Sequence, residues 1–162
     1  SYKNNKILLS IGTFHTYRRF AQQKNSLFGK IISIDLNSKK EKIISLGHRN
    51  PQGLYYDKVN DLILSTDHGP KGGDEINIHL NLENEKINNY GWPMSSYGIH
   101  YGDEQFSNIS PLYKSHEKYG FVEPIKYFKD GIGISQLVRV DKLFDNNFTN
   151  DFFISSMAIK KK

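Results

Sequence analysis

The stretch from residue 47 to residue 93 constrains the fold most strongly, because it alternates short apolar runs with polar clusters rich in Gly and Asn. Two of the runs, at 54–57 and 62–66, flank a short polar segment. This is the pattern of strand, tight turn and strand. The polar clusters at 47–53 and 67–75 are therefore predicted to lie at the same end of one hairpin, where loops held by a rigid sheet can form a binding site.

The rest of the chain repeats short strand-like runs separated by polar turns. Gly, Asn and Pro interrupt each apolar run before a helical period develops, so no helix is predicted. A polar, basic loop is expected at 15–25, and a long loop at 95–119, whose length is typical of functional or mobile segments. The chain is therefore predicted to be an all-β meander. The further predicted strands are at 7–12, 29–36, 42–46, 75–80, 121–128, 134–140 and 152–157.

The charge of the chain is basic and uneven. Residues 1–50 carry ten Lys or Arg and two acids, a net +8, whereas residues 51–162 carry twelve and fifteen, a net −3. Eighteen of the 22 cations are Lys, and because phosphate recognition relies on Arg forks, solvated surface charge is favoured over a nucleic-acid partner. The absence of Cys excludes disulfides and thiolate metal sites. No signal peptide is visible, and no apolar run approaches the ~20 residues that span a bilayer.

Three ordered motifs carry a family resemblance: GHRNPQG at 47–53, DHGPKGGDEIN at 67–77 and NYGWP at 89–93. Together they closely resemble the glucose/sorbosone dehydrogenases, soluble aldose sugar dehydrogenases that use pyrroloquinoline quinone (PQQ) and fold as a six-bladed β-propeller. A weaker resemblance extends over most of the chain. It implies an oxidoreductase that converts aldoses at C1 to lactones, passes electrons to an external acceptor and is periplasmic or secreted.

The length of the chain implies that it forms part of such a propeller. A blade takes roughly 40–50 residues, so 162 residues accommodate about three four-stranded blades. We therefore expect residues 1–162 to be a fragment, the middle blades of a longer dehydrogenase domain. Because a partial ring leaves blade faces open, we expect the isolated chain to be poorly stable and inactive.

A cation and two amides form the predicted cofactor site. Arg49, Asn50 and Gln52 lie within four residues, and Pro51 stiffens the backbone between them. Such a set suits a flat anion with carbonyls and carboxylates, because Arg pairs bidentately and amides donate or accept. The alternative is a plain turn with a surface Arg. The resemblance implies that these three residues line the PQQ site, and His68 is a further candidate for contact with the cofactor.

Backbone carbonyls at the second motif form the predicted metal site. Ca²⁺ can be coordinated by backbone oxygens together with oxygens of a ligand. The resemblance implies that the carbonyls of Gly69 and Pro70 hold the Ca²⁺ that PQQ chelates. A plain turn is the default interpretation of any Gly-Pro pair. Glu75 is predicted either to serve a second, structural Ca²⁺ or to lie on a solvated strand edge.

No catalytic residue is predicted within the chain. The resemblance implies a catalytic histidine shortly before the strand at 7–12, which puts it upstream of residue 1, and neither His48 nor His68 matches it. The resemblance also loosens at 130–136, where Gly131 stands in place of a hydroxyl expected to touch PQQ. A non-catalytic β-propeller that shares the scaffold and serves as a binding module is therefore the alternative function.

Overall fold

The chain is built from strands and short turns. The computed structural model describes residues 2–3, 5–80, 85–101, 115–141, 143–144, 146–148 and 151–158. The described part contains no α-helix and three short 3₁₀ helices, at Arg18–Gln22, Glu117–Tyr119 and Asn146–Phe148. Its strands are β1 (Tyr2–Lys3), β2 (Lys6–Ile11), β3 (Lys30–Asp35), β4 (Glu41–Leu46), β5 (Pro51–Asp57), β6 (Leu62–Asp67), β7 (Asp74–His79), β8 (Asn88–Asn89), β9 (Lys126–Phe128), β10 (Ile134–Arg139) and β11 (Phe152–Ser156).

The first sheet has the strand order β1-β2-β3-β4-β8. Its first four strands pair antiparallel in sequence order, while the two-residue β8 pairs parallel with the end of β4. The β-branched run at Ile31 and Ile32 is buried in β3, as expected for residues that favour a pleated and packed surface. Lys30 is also buried, and its ammonium donates to the carbonyls of Phe20 and Ala21, which holds the preceding loop over the sheet.

The second sheet has the order β5-β6-β7-β9 and contains the predicted hairpin. Asp57 pairs with Leu62 next to the turn and Pro51 pairs with Asp67 at the open end, with a bulge between Pro51 and Gly53. Because a bulge bends its strand and re-aims a side chain, the backbone turns just after the Arg49–Asn50 segment.

The third sheet consists of β10 and β11. β10 packs against β5 and β6, and β2 packs against β5, so each sheet contacts the next one along the chain. The side chain of Thr66 crosses one of these contacts, since its hydroxyl donates to the carbonyl of Ser135 in β10 and accepts from the amide of Gly53 in β5.

The structure confirms the all-β prediction and refines several segments. The loop predicted at 15–25 contains a 3₁₀ helix, the strand predicted at 121–128 is shortened to β9, and β8 was not predicted. Within the long loop predicted at 95–119, residues 102–114 lie outside the described residues. The described beginning of that loop is packed rather than open, because Ser95 and Ser96 are buried.

Candidate functional site

The open end of the β5–β6 hairpin gathers the two predicted motifs. Beyond the Pro51–Asp67 pair, the amide of His68 donates to the carbonyl of Asn50 at 3.1 Å, which extends the hairpin pairing by one step. Arg49 and Asn50 therefore face His68 and Gly69 at one end of the sheet. This is the arrangement that the sequence predicted from the spacing of the two polar clusters.

Arg49 is held on several sides. Its guanidinium donates to the carbonyl of His68 at 3.0 Å, and its Cζ lies 5.5 Å from the ring centroid of Trp92 and 6.0 Å from that of Tyr101. Partial burial lowers the pKa of Arg49, and the negative charge of Asp67 opposes this shift. The aromatic faces and the carbonyl restrict the guanidinium to one position, in which a cation contacts two π systems.

A cleft of about 260 Å³ opens beside Arg49. Asn50, Pro70, Trp92 and Tyr101 line it together with Arg18, which comes from the loop after β2. Among the described residues, its lining includes two guanidinium-bearing side chains and no carboxylate. A cleft with cations and aromatic rings suits a flat, negatively charged ligand, because the charges pair and the rings stack.

Three of the seven predicted site residues, Arg49, Asn50 and Pro70, line this cleft. Gln52 is exposed, and its amide donates to Asn50 Oδ1 at 2.9 Å, so it acts on the cleft through Asn50. The His68 ring bonds through Nε2 to the carbonyl of Ile134 in β10, which directs it toward the third sheet. The carbonyl of Pro70 accepts from the Tyr101 hydroxyl at 3.1 Å.

Glu75 lies deeper, behind the cleft. With His68, Gly69 and others it lines a small pocket of about 10 Å³, which Arg49 and Trp92 also border. Burial raises the pKa of Glu75 well above its ordinary value, and the nearby charge of Asp67 adds to this. Glu75 is only 7% exposed, so it does not lie on a solvated strand edge. Among the described residues no group of three or more His, Cys, Asp or Glu side chains could hold a metal ion, so a Ca²⁺ site here would depend on backbone carbonyls.

Two buried aspartates were missed as site residues by the sequence reasoning. Asp67 accepts the amides of Arg49 and Asn50, and Asp74 accepts the amide of Gly69. Their signal in the sequence is an acid at the end of one strand and an acid at the start of the next, on either side of the Gly-Pro turn. Short acidic side chains at such places commonly satisfy neighbouring amides.

The comparisons with known proteins agree with the motifs. The Glucose / Sorbosone dehydrogenase family profile matches residues 2–161. The chain is 32% identical over 131 residues to the aldose sugar dehydrogenase YliI of Escherichia coli K12, which covers 73% of this chain and 33% of that protein. It is also 34% identical over 91 residues to quinoprotein glucose dehydrogenase B of Acinetobacter calcoaceticus, which covers 49% of this chain and 16% of that protein.

The chain belongs to the glucose/sorbosone dehydrogenase family. Solved structures extend the likeness to three dimensions: a crystal structure of a glucose dehydrogenase superposes with a TM-score of 0.77 at 25% identity, covering 96% of this chain and 48% of that one. The apo-form of the soluble aldose sugar dehydrogenase from E. coli gives a TM-score of 0.75 at 26% identity, covering 95% and 45%. The fold is therefore part of a six-bladed β-propeller, as the resemblance implied.

The chain spans about a third of the E. coli relative and a little under half of the matched structures. The matched relatives are named as sugar dehydrogenases, so the chain belongs to a family of oxidoreductases. No helix in the described part of the chain is long and apolar enough to cross a membrane.

Proposed function

We propose that this chain supplies PQQ- and Ca²⁺-binding residues to an aldose sugar dehydrogenase that oxidises sugars at C1 to lactones. The observation that carries the proposal is the position of Arg49, fixed between Trp92, Tyr101 and the His68 carbonyl at the wall of a cleft. The quinoprotein named among the relatives supports the choice of cofactor.

The residues of the cleft fit a flat polyanionic cofactor. Arg49 offers a planar fork for a carboxylate, and Asn50 lines the cleft beside it. Trp92 and Tyr101 flank the guanidinium and offer ring faces against which a flat cofactor can pack. Gln52 would act through the Asn50 amide oxygen to which it donates, which fixes the orientation of that amide.

The turn after β6 would hold the metal. The carbonyls of Gly69 and Pro70 are hard oxygen donors of the type that Ca²⁺ prefers, and Pro70 lies on the cleft wall. When bound, PQQ with Ca²⁺ supplies hydride acceptance at a polarised quinone. The residues of this chain would bind and orient, while the proton of the sugar hydroxyl would pass to a histidine outside residues 1–162.

The proposal is tested by titrating PQQ into the full-length protein containing residues 1–162, in the presence of Ca²⁺, by calorimetry. Arg49→Ala removes one partner of a partly desolvated charge pair, which costs roughly 2–5 kcal/mol, a loss of about 30- to several-thousand-fold in affinity. Arg49→Lys should recover part of the affinity, because an ammonium lacks the planar fork.

Arg139→Ala is the matched control for this titration. Arg139 lies in β10 and pairs with Asp57 at 3.4 Å, at the opposite end of the hairpin. The Arg139→Ala variant should therefore bind PQQ with the same affinity as the parent protein. If Arg49→Ala also binds as the parent does, Arg49 is a structural turn residue and the proposal fails. Tight PQQ binding by a full-length protein that oxidises no aldose would instead indicate the binding-module alternative.

We also propose, from the family resemblance, that the protein works in the periplasm or is secreted and passes electrons to an external acceptor. The need for an acceptor follows from the proposed chemistry, since the reduced cofactor must be reoxidised in each cycle. Fractionation of cells that produce the full-length protein tests the location.

A further inference from the structure

Asp67 and Asp74 are buried carboxylates at adjacent ends of β6 and β7. Both residues lie at the end of the sheet where the cleft opens, and both are at least 95% buried. Neither lines the 260 Å³ cleft. Buried carboxylates need compensating donors, because an unpaired buried charge strongly destabilises a fold. The donors that these two use include backbone amides of the proposed site.

Asp67 binds the Arg49–Asn50 segment with both oxygens. Oδ2 accepts the amide of Arg49 at 3.0 Å, and Oδ1 accepts the amide of Asn50 at 2.6 Å. His48 Nδ1 lies 3.3 Å from Oδ2, and Nε2 of the same ring lies 2.8 Å from the hydroxyl of Ser45 in β4. Asp67 therefore connects the second sheet to the first through the segment that carries Arg49.

Asp74 binds the other half of the site in the same way. Its Oδ1 accepts the amide of Gly69 at 3.0 Å, and its Oδ2 accepts the amides of Ile132 at 2.9 Å and Ile134 at 3.1 Å. It therefore connects the Gly69–Pro70 turn to the start of β10 in the third sheet.

Hydrogen bonds that amides donate to an ionised carboxylate are shorter and roughly twice as strong as hydrogen bonds between neutral groups. Arg49, Asn50 and Gly69 lie outside the strands, where ladder partners are absent, so the two carboxylates accept hydrogen bonds from amides that the sheet ladders do not pair. A binding group must be held within about 0.5 Å of its working position. These two side chains thus meet the physical requirement for a supporting shell.

We propose that Asp67 and Asp74 are paired positioning residues, Asp67 for Arg49 and Asn50 and Asp74 for the Gly69–Pro70 turn. The division predicts separate defects: loss of Asp67 weakens binding of the PQQ anion, whereas loss of Asp74 weakens binding of Ca²⁺. The identity of these ligands rests on the proposed function; the positioning itself does not.

The first measurement is hydrogen exchange in the full-length protein containing residues 1–162. Asp67→Asn presents an amide N–H or a single oxygen where two amides need acceptors, so exchange at Arg49 and Asn50 should rise by about tenfold or more. Asp74→Asn should do the same at Gly69 and leave Arg49 and Asn50 nearly unchanged. Exchange in β3 should not change in either variant.

Asp57→Asn is the matched control. Asp57 is an equally buried aspartate of the same sheet, at the opposite end of β5, and it accepts the amide of Val59 at 2.9 Å and the side chain of Asn60 at 2.8 Å. The Asp57→Asn variant should be less stable than the parent, but hydrogen exchange at the amides of Arg49, Asn50 and Gly69 should not become faster. If Asp67→Asn does not fold, Asp67→Glu keeps the charge and displaces the carboxylate by one methylene, and should give a smaller rise at the same two amides.

The second measurement is PQQ titration of the same variants at several Ca²⁺ concentrations. Asp67→Asn should weaken PQQ binding by about tenfold or more at saturating Ca²⁺, and Asp74→Asn should raise the Ca²⁺ concentration required for half-maximal PQQ binding. Unchanged exchange at Arg49 and Asn50 in Asp67→Asn, or an equal rise in Asp57→Asn, would overturn the positioning role. A parent that binds no PQQ would refute the proposed function, while the exchange results would still decide the role of the aspartates.

Discussion

At the scale of single residues, the half-buried guanidinium of Arg49 lies close to several buried carboxylates. Arg49 borders both the cleft and the small pocket. Asp67 accepts the amide of Arg49 and pairs with Glu75 across β6 and β7, and its negative charge bears on the pKa of both side chains. The guanidinium and the carboxylates thus offset part of one another's burial. The exception is Glu75, whose pKa is raised because burial and like charge both favour its protonated form.

Glu75→Gln tests this environment through pH. The folded protein holds the Glu75 proton more tightly than the unfolded chain, whose carboxyl has the ordinary pKa of 4.5. The Glu75 contribution to stability is therefore fully present below about pH 4.5 and is lost as pH rises through the folded pKa. Gln mimics the protonated acid at every pH, so the variant should match the parent at acidic pH and become the more stable one toward neutral pH, by urea denaturation.

Ca²⁺ adds a second arm to that experiment. If Glu75 serves a structural Ca²⁺, the metal favours the carboxylate, and added Ca²⁺ should stabilise the parent but not Glu75→Gln at neutral pH. Equal stabilisation of both proteins would contradict a metal role for Glu75. Equal stability of both proteins across the whole pH range would contradict its raised pKa.

Among the elements, the β5–β6 hairpin organises the site because it contacts both neighbouring sheets. Thr66, one residue before the end of β6, is fully buried and bonds to Gly53 within the sheet and to Ser135 in the next one. A second bond, from the amide of Leu54 to Gln136 Oε1, joins the same strands. Polar side chains thus close the junction between β5, β6 and β10.

Thr66→Val should therefore destabilise the fold while keeping its shape. The substitution is nearly isosteric but leaves the Gly53 amide and the Ser135 carbonyl without their partner, which costs roughly 1–3 kcal/mol. Chemical denaturation measures the change, and Thr16→Val, at an exposed position of the loop after β2, is the control and should change stability by less than about 0.5 kcal/mol. A neutral Thr66→Val would mean that the junction depends on apolar packing alone.

The elements also show what sequence reasoning could reach. The hairpin was predictable because β-type runs and a polar turn are local signals, and they placed Arg49 and Gly69 at one end. The pairing of Asn88 and Asn89 with β4 was not, since it depends on contacts distant in sequence. Two further features could not be predicted from the sequence, because both depend on how the sheets pack. These are the direction of the His68 ring toward Ile134 and the burial of Glu75.

At the scale of the whole molecule, apolar side chains are exposed at both ends of the row of sheets. Ile7 and Leu9 of β2 are more than 40% exposed, and so is Phe153 of β11. In a closed ring, neighbouring blades cover such surfaces. The 162-residue chain alone should therefore self-associate, and with added PQQ, Ca²⁺ and a redox dye it should oxidise no aldose.

Sedimentation velocity measures the self-association. Phe153→Ser should shift the distribution toward monomer, whereas Val59→Ser, at an exposed apolar residue of the β5–β6 turn, should leave it unchanged. Robust turnover by this chain alone would contradict the expectation that further blades are needed.

We propose above that the cleft beside Arg49 binds PQQ. The most direct test of this proposal is a crystal structure of the full-length protein containing residues 1–162, grown with PQQ and Ca²⁺. We expect PQQ in the cleft beside Trp92, with a carboxylate within hydrogen-bond distance of the Arg49 guanidinium and Ca²⁺ against the carbonyl oxygens of Gly69 and Pro70. PQQ bound elsewhere, with Arg49 facing solvent or protein alone, would contradict it.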